Sequence, residues 1–247
     1  MKFGQQAQST CQATKKQIII LISIITTLIL ILSSVTIFKY ISKKQQEKAI
    51  QELFQTHYNN KVSSFIEENK KYNEGEVDVI FIGDSLTEGY DLTKFYPELI
   101  TLNRGIGGDT TFGLEKRLNE SVYALKPKVV VMLIGANNMD SMFENYEAIL
   151  IDLKENLPDS KIILLSLTAM GDNWGRKNNL AAFNNVKIKK LAEKYNYTFI
   201  DLFTPLLDVN TNEVYEGYTI DGGHFTEKGY EVVTSIVKPK ILEELNK

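Results

Sequence analysis

The chain has 247 residues, 43% of them hydrophobic, and a formal net charge of −3. That is enough apolar material for one good-sized core or two small ones, and it excludes a disordered chain. All 31 acidic residues but only 25 of the 28 basic ones lie after residue 38, so that part is mildly acidic without a basic block and argues against a nucleic-acid partner.

Residues 1–17 form a short N-terminal tail containing Cys11, the single cysteine, so an intrachain disulfide framework and a multi-cysteine metal site are both excluded. The absence of any thiol beyond residue 38 suits an exported domain. Residues 18–38 are 21 residues without a charge, 15 of them Ile, Leu, Val or Phe. As a helix they would extend roughly 31 Å, about the hydrocarbon thickness of a bilayer. The remaining Ser and Thr are tolerated there by bonding back to helix carbonyls. A cleaved signal peptide is the rival reading, but its apolar region is usually shorter and no clear small-x-small site follows. A transmembrane signal-anchor is therefore expected. Lysines flank both ends, Lys2, Lys15 and Lys16 against Lys39, Lys43, Lys44 and Lys48. The N-terminal position of the span favours a short inside tail and an extracytoplasmic domain, since large domains translocate largely regardless of charge.

Residues 39–75 are polar and lysine-rich, with Ile50, Leu53, Phe54, Tyr58, Val62, Phe65 and Ile66 spaced as one face of an amphipathic helical linker. His57 falls on that face, where a packed or half-exposed helix residue is expected rather than a catalytic one. Residues 76–247 read as one α/β domain. Strands are expected at 77–82, 100–103, 129–134, 161–167 and 198–201, the third a continuous apolar run typical of a strand buried on both faces. Helical patterns fall at about 111–124, 141–156, 178–196 and 226–245, the last expected to kink or stop near Pro239. This alternation predicts a parallel sheet with helices on both faces.

Three distinctive segments each follow a strand: Gly83-Asp84-Ser85-Leu86, the glycine block from Asn103 to Thr110, and Gly135-Ala136-Asn137-Asn138. In an open parallel sheet these strand ends share one edge, where ligands bind. Ser85 is a nucleophile only if a base removes its proton. The chain has two histidines, and His224 is the available base. Asp221, three residues earlier, can fix the tautomer and stabilise the imidazolium. Donors for a developing oxyanion are the Ser85 and Gly108 backbone N–H groups and the Asn137 amide, with Asp109 or Thr110 capping the helix beyond. Asp84 is read as holding loop backbone. Trp174, in the loop 171–176, is equally readable as lining the acyl or alcohol side and as loop packing. Taken singly, each residue also has a plain structural reading: Ser85 and Asn137 as helix caps, the glycines as a turn or phosphate cradle, His224 as a buried histidine, Asp221 as a turn residue. No Gly-Lys-Ser/Thr supports a P-loop, residues 83–87 are not Gly-x-Ser-x-Gly, and one usable histidine makes no metal cluster.

Gly-Asp-Ser-Leu, the block ending Gly-Gly-Asp-Thr-Thr, Gly-x-Asn and Asp-x-x-His, in that order over roughly residues 76–245, resemble the four blocks of the SGNH/GDSL hydrolase superfamily, which includes lysophospholipase L1-like esterases and acetylhydrolases. The resemblance implies a flavodoxin-like three-layer α/β/α sandwich with a five-stranded parallel sheet. It also implies Ser85, Asp221 and His224 as catalytic residues and Ser85, Gly108 and Asn137 as the oxyanion hole, with no cofactor. One departure is Asn138, where the family commonly has Asp. The expected function is hydrolysis of acyl esters, acetyl esters included, of a glycan or lipid through a covalent acyl-enzyme. Acyl transfer to a sugar and a catalytically silent binding module on the same fold are the alternatives.

Overall fold

Val129–Leu133 is apolar throughout and mostly β-branched, and it forms the buried centre of a parallel sheet. The computed structural model describes residues 2–174 and 177–247, with the backbone alone for residues 2–16, 18, 19, 21, 22 and 24. The chain divides into two units, one ending at Gln55 and the other spanning Thr56–Lys247.

Helix α1 runs Lys2–Asn69. In the first unit the described apolar side chains, from Ile25 to Phe54, are exposed, Phe38 at 73%. Thr26 and Thr27 donate to the Ser23 carbonyl, Ser33 to Leu30, Ser34 to Ile31 and Thr36 to Leu32 and Ser33, so these hydroxyls are satisfied within the helix. By length and composition this helix is able to cross a membrane, a description that both an anchor and a signal sequence meet.

The second unit is built on β1 (Val79–Gly83), β2 (Thr101–Gly105), β3 (Val129–Leu133), β4 (Lys161–Leu165) and β5 (Thr198–Ile200), all parallel in the order β2-β1-β3-β4-β5. Its helices are α2 (Ser85–Glu88), α3 (Leu92–Phe95), α4 (Thr111–Glu115), α5 (Tyr146–Asn156), α6 (Asn178–Tyr195), α7 (Phe203–Leu206) and α8 (Glu227–Leu245). A short antiparallel pair, β6 (Leu207–Asp208) and β7 (Glu213–Val214), was not expected from the sequence. Alternate strand residues feed two cores: Ile80, Ile82, Val130 and Met132 pack with α5 and α6, and Val79, Phe81, Val129 and Val131 with α8. Helices thus cover both faces of a five-stranded α/β fold.

Two helices differ from the sequence pattern. The run expected over 111–124 breaks into α4 and a π-helical turn, Asn119–Tyr123. The break falls where Arg117 turns inward and bonds Ser121 at 2.9 Å. In contrast, α8 continues through Pro239 to Leu245. Proline removes one helical hydrogen bond, but Val233, Val237 and Ile241 are buried along the same helix and their packing carries it across.

Arg117 is 1% exposed and donates to Asp109 Oδ2, the carbonyls of Arg104 and Gly83, and Ser121. Removing it strands a buried carboxylate and two strand-end carbonyls. Arg117→Met is expected to cost about 3–5 kcal/mol, measured as the shift in chemical unfolding; a loss near that of an ordinary surface substitution would show that the network does not hold the fold.

Candidate active site

Pairing places Gly83, Gly105 and Leu133 side by side at the ends of β1, β2 and β3. The segments that follow these strands therefore begin at one edge. The strand order reverses direction between β1 and β3, the switch point at which sheets of this order bind ligands. Ser85 is the first residue of α2, and Asp84 caps that helix by accepting the Leu86 N–H at 3.0 Å.

His224 reaches this edge from the turn before α8. Its Nε2 lies 3.0 Å from Ser85 Oγ and its Nδ1 2.8 Å from Asp221 Oδ2. Asp221 Oδ1 accepts the Gly223 and His224 N–H groups at 3.0 and 2.8 Å, so one carboxylate fixes both the turn and the ring. Burial opposes ionisation of Asp221, but the His224 ring and these two N–H donors outweigh it and hold the carboxyl well below the usual range. Nδ1 facing a carboxylate leaves Nε2 free to accept a proton from the serine. Of the other histidine, the structure places His57 against Glu88, 3.2 Å from Oε2, and not against Ser85 Oγ.

The glycine loop lies on the other side. Gly108 has φ +77°, a conformation that side chains disfavour. Thr110, not Asp109, caps α4, its hydroxyl accepting the Gly113 N–H. Asn137 donates one amide hydrogen to the Asp109 carbonyl at 2.8 Å, which orients the amide and leaves a second hydrogen. Asn138 is turned away to Thr111, donating to its hydroxyl at 2.9 Å.

Ser85, Asn137 and His224 line a cavity of about 20 Å³ with Leu86, Ala136, Leu167, Met170, Trp174 and Gly223. The Trp174 ring meets the His224 ring edge-on at 5.2 Å, and a Cβ on Gly223 would fall 2.3 Å from it. Trp174 thus both lines the cavity and packs against the turn, while Gly175 and Arg176 of its loop lie outside the described residues. The sequence reading missed what holds this wall. Asn185 exchanges two hydrogen bonds with the Leu167 backbone, and Asn178 two with that of Met170. The available signal was asparagine at buried positions of α6, poor helix formers that earn their place by bonding backbone elsewhere. Among the described residues no group of three or more His, Cys, Asp or Glu is placed to hold a metal ion.

The model of the GDSL-like lipase/acylhydrolase family matches residues 81–232. The chain belongs to this family. Among curated proteins, the alpha2 subunit of platelet-activating factor acetylhydrolase IB is 36% identical in Homo sapiens and 35% in Rattus norvegicus, over 127 residues covering 48% of this chain and 54% of each relative. The chain therefore spans about half the length of the curated relatives it matches. A GDSL-like lipase from Bacteroides thetaiotaomicron is similar in structure, with a TM-score of 0.66 and 25% identity over 74% of this chain and 97% of that one. The acetylxylan esterase Axe2 of Geobacillus stearothermophilus shares the fold, with a TM-score of 0.56 and 23% identity over 68% and 95% of the two chains.

Asp84, within the motif that gives this GDSL family its name, is 2% exposed, and among the described residues its Oδ2 has no hydrogen-bond partner. Burial pushes its carboxyl up to about 7, the Leu86 N–H opposing and Asp109 adding to the rise. A carboxyl raised on folding takes up a proton, so it weakens the fold progressively as pH climbs from about 4 to about 7. Asp84→Asn removes that dependence. The urea midpoint should fall less between about pH 5 and about pH 8 in Asp84→Asn than in the parent; parallel falls would show that Asp84 does not titrate in this window.

Proposed function

We propose that the chain is a serine esterase that cleaves short acyl esters through a covalent acyl-enzyme. The observation that carries this reading is the continuous line Asp221 Oδ2–His224–Ser85 Oγ, with spacings of 2.8 and 3.0 Å. In this reading His224 Nε2 takes the Ser85 proton as Oγ attacks the ester carbonyl. The resulting oxyanion is met by the Ser85 and Gly108 N–H groups and the second Asn137 amide hydrogen. Collapse expels the alcohol, which takes the proton from His224. A water then attacks the acyl group by the same route, releasing the acid and restoring the serine.

The cavity beside Ser85 supports a small acyl group. Its volume of about 20 Å³ is room for roughly one water molecule, hence for a methyl. Acetyl esters of a glycan or lipid are the substrates we infer, in keeping with the acetylhydrolase and acetylxylan esterase among similar proteins. For the whole chain we propose a tail at 1–17, a membrane anchor at 18–38, a helical linker from 39 and a hydrolase domain outside the cytoplasm. The uncharged run and the exposure of its described side chains along α1 support the anchor.

Ser85→Ala is expected to fold and to lower turnover of p-nitrophenyl acetate by roughly 10³-fold or more; near-normal turnover, or labelling of the variant by a fluorophosphonate, would refute the nucleophile. Asn137→Ala should lower kcat by about 10²–10³ with KM little changed, whereas Asn138→Ala should cost far less. Equal losses at the two would exchange their roles. A chain beginning near residue 40 should be soluble and keep ester turnover. On intact cells, added protease should digest the domain while cytoplasmic markers survive; full protection until lysis would reverse the orientation, and a processed form in the medium would favour a signal peptide.

A further inference from the structure

One titratable cluster on the rim of the site is not used by the chemistry above. Glu88 closes α2, three residues after Ser85. Its Oε2 accepts the Gly107 N–H at 2.5 Å and faces His57 Nε2 at 3.2 Å, while its Oε1 takes Lys61 Nζ at 3.1 Å. A Cβ on Gly107 would sit 3.0 Å from Glu88 Oε2 and 3.9 Å from both His57 Nε2 and the Ser85 Cβ, so carboxylate, imidazole and serine surround this one glycine. Gly107 immediately precedes Gly108, whose N–H is assigned above to the oxyanion.

The same loop is tied to α2 a second time. Asn103 donates to the Thr87 carbonyl at 2.6 Å and to the Tyr90 carbonyl at 3.0 Å, and accepts the Gly105 N–H at 2.9 Å. That tie fixes the near end of the loop at β2, and Asp109 with Arg117 fixes the far end. Between them the Gly107–Gly108 peptide has no side chain with which to anchor itself. Among the described residues, the Gly107 N–H is taken up by the Glu88 carboxylate.

We propose that Glu88 is a positioning residue that holds the Ile106–Gly107 peptide by its N–H and through it sets the orientation of the following Gly107–Gly108 peptide for the oxyanion, and that His57 and Lys61 hold the carboxylate in place. The proposal rests on the serine esterase reading and adds a residue to it. A carboxylate suits the task because it accepts from three donors at once. Burial opposes its ionisation, but the bonds from Lys61, Gly107 and His57 outweigh burial and keep the carboxyl below its usual range. Glu88 touches no reacting atom. Its effect is on where the donor points when charge develops, so it should appear in kcat and not in KM.

The test uses the full chain in detergent and p-nitrophenyl acetate. Glu88→Met, of similar length without an acceptor, should lower kcat about 10- to 100-fold with KM within about twofold, the scale of a misplaced donor. Glu88→Gln, which keeps an oxygen for Gly107, should recover most of the loss. A Met variant with parental kcat, or a Gln variant as slow as Met, overturns the proposal. Amide exchange over residues 105–109 reads the clamp without turnover. It should speed up in Glu88→Met, and unchanged exchange overturns the clamp. A parent chain without turnover whose loop still loosens in Glu88→Met would instead sink the esterase reading and leave the clamp standing. Should Glu88→Met not fold, His57→Gln combined with Lys61→Met frees the carboxylate from the helix; kcat should then fall several-fold at constant KM, and an unchanged kcat overturns the role of the two partners.

Discussion

A guanidinium held at 1% exposure has to find its partners inside the protein, since an unpaired buried charge costs several kcal/mol. Arg117 finds them on the segments that make the site. The Gly83 carbonyl ends β1 just before Asp84 and Ser85, the Arg104 carbonyl belongs to β2 just before the glycine loop, and Asp109 closes that loop. One side chain therefore sets the distance between the serine and the loop that carries Gly108. Asn137 joins the third segment by donating to the Asp109 carbonyl. Phe65 lies beneath both buried guanidiniums, 4.7 Å from that of Arg104 and 5.8 Å from that of Arg117, and shields them from water.

The same burial sorts three aspartates into different states within one small region. Asp221 sits in a polar turn, with the imidazole and two N–H groups directed at it, and stays ionised. Asp109 is buried against Arg117; burial raises its carboxyl above the usual range and the guanidinium limits the rise without cancelling it. Asp84, which accepts the Leu86 N–H, is pushed up to about 7 by its burial. Had Asp84 and Asp109 both been fully charged beside a single buried cation, the site would carry an uncompensated negative charge next to the place where an oxyanion is proposed to form. Environment, and not residue type, assigns the roles.

Much of this was legible in the sequence. Strand runs such as 129–134 and the glycine and serine blocks behind them led to a parallel sheet with its functional segments on one edge, because hydrophobic period and turn residues are local signals. The geometry of Asp221 and His224 was also a local inference, since a three-residue spacing with two glycines closes on itself. What was hidden depends on burial. Arg117 and Arg104 look like surface residues of a helix and a strand until the chain is folded over them. The share of α1 that packs with the sheet turns on Phe65, Tyr58 and Asn69 meeting groups 50 or more residues away, such as Gly113 and Glu120, which no periodicity reports. Pro239 read as a kink or a stop because the local rule against proline is strong; the buried residues on either side of it, which carry the helix on, are not a local property.

The two sides of the site are held by different forces, and this bears on what can vary. On the side of the proposed oxyanion donors the loop is fixed by charged and polar contacts: Arg117 with Asp109, and Glu88 with Lys61 and the His57 ring. Removing one member of the buried pair leaves an uncompensated charge, at a cost of about 3–5 kcal/mol. On the cavity side Leu167 and Met170 are fixed by neutral bonds from Asn185 and Asn178, and the remaining wall is an indole leaning on Gly223. Those bonds contribute about 1 kcal/mol each. In the proposed reading, the wall that would face the acyl group is thus held apart from the loop that would carry the oxyanion donors. A change in the size of the residue at Trp174 alters the room beside Ser85 without touching Arg117 or Asp109, but through Gly223 and the His224 ring it also reaches the turn that Asp221 holds, so the cavity is tied to the imidazole and not to the buried ion pair.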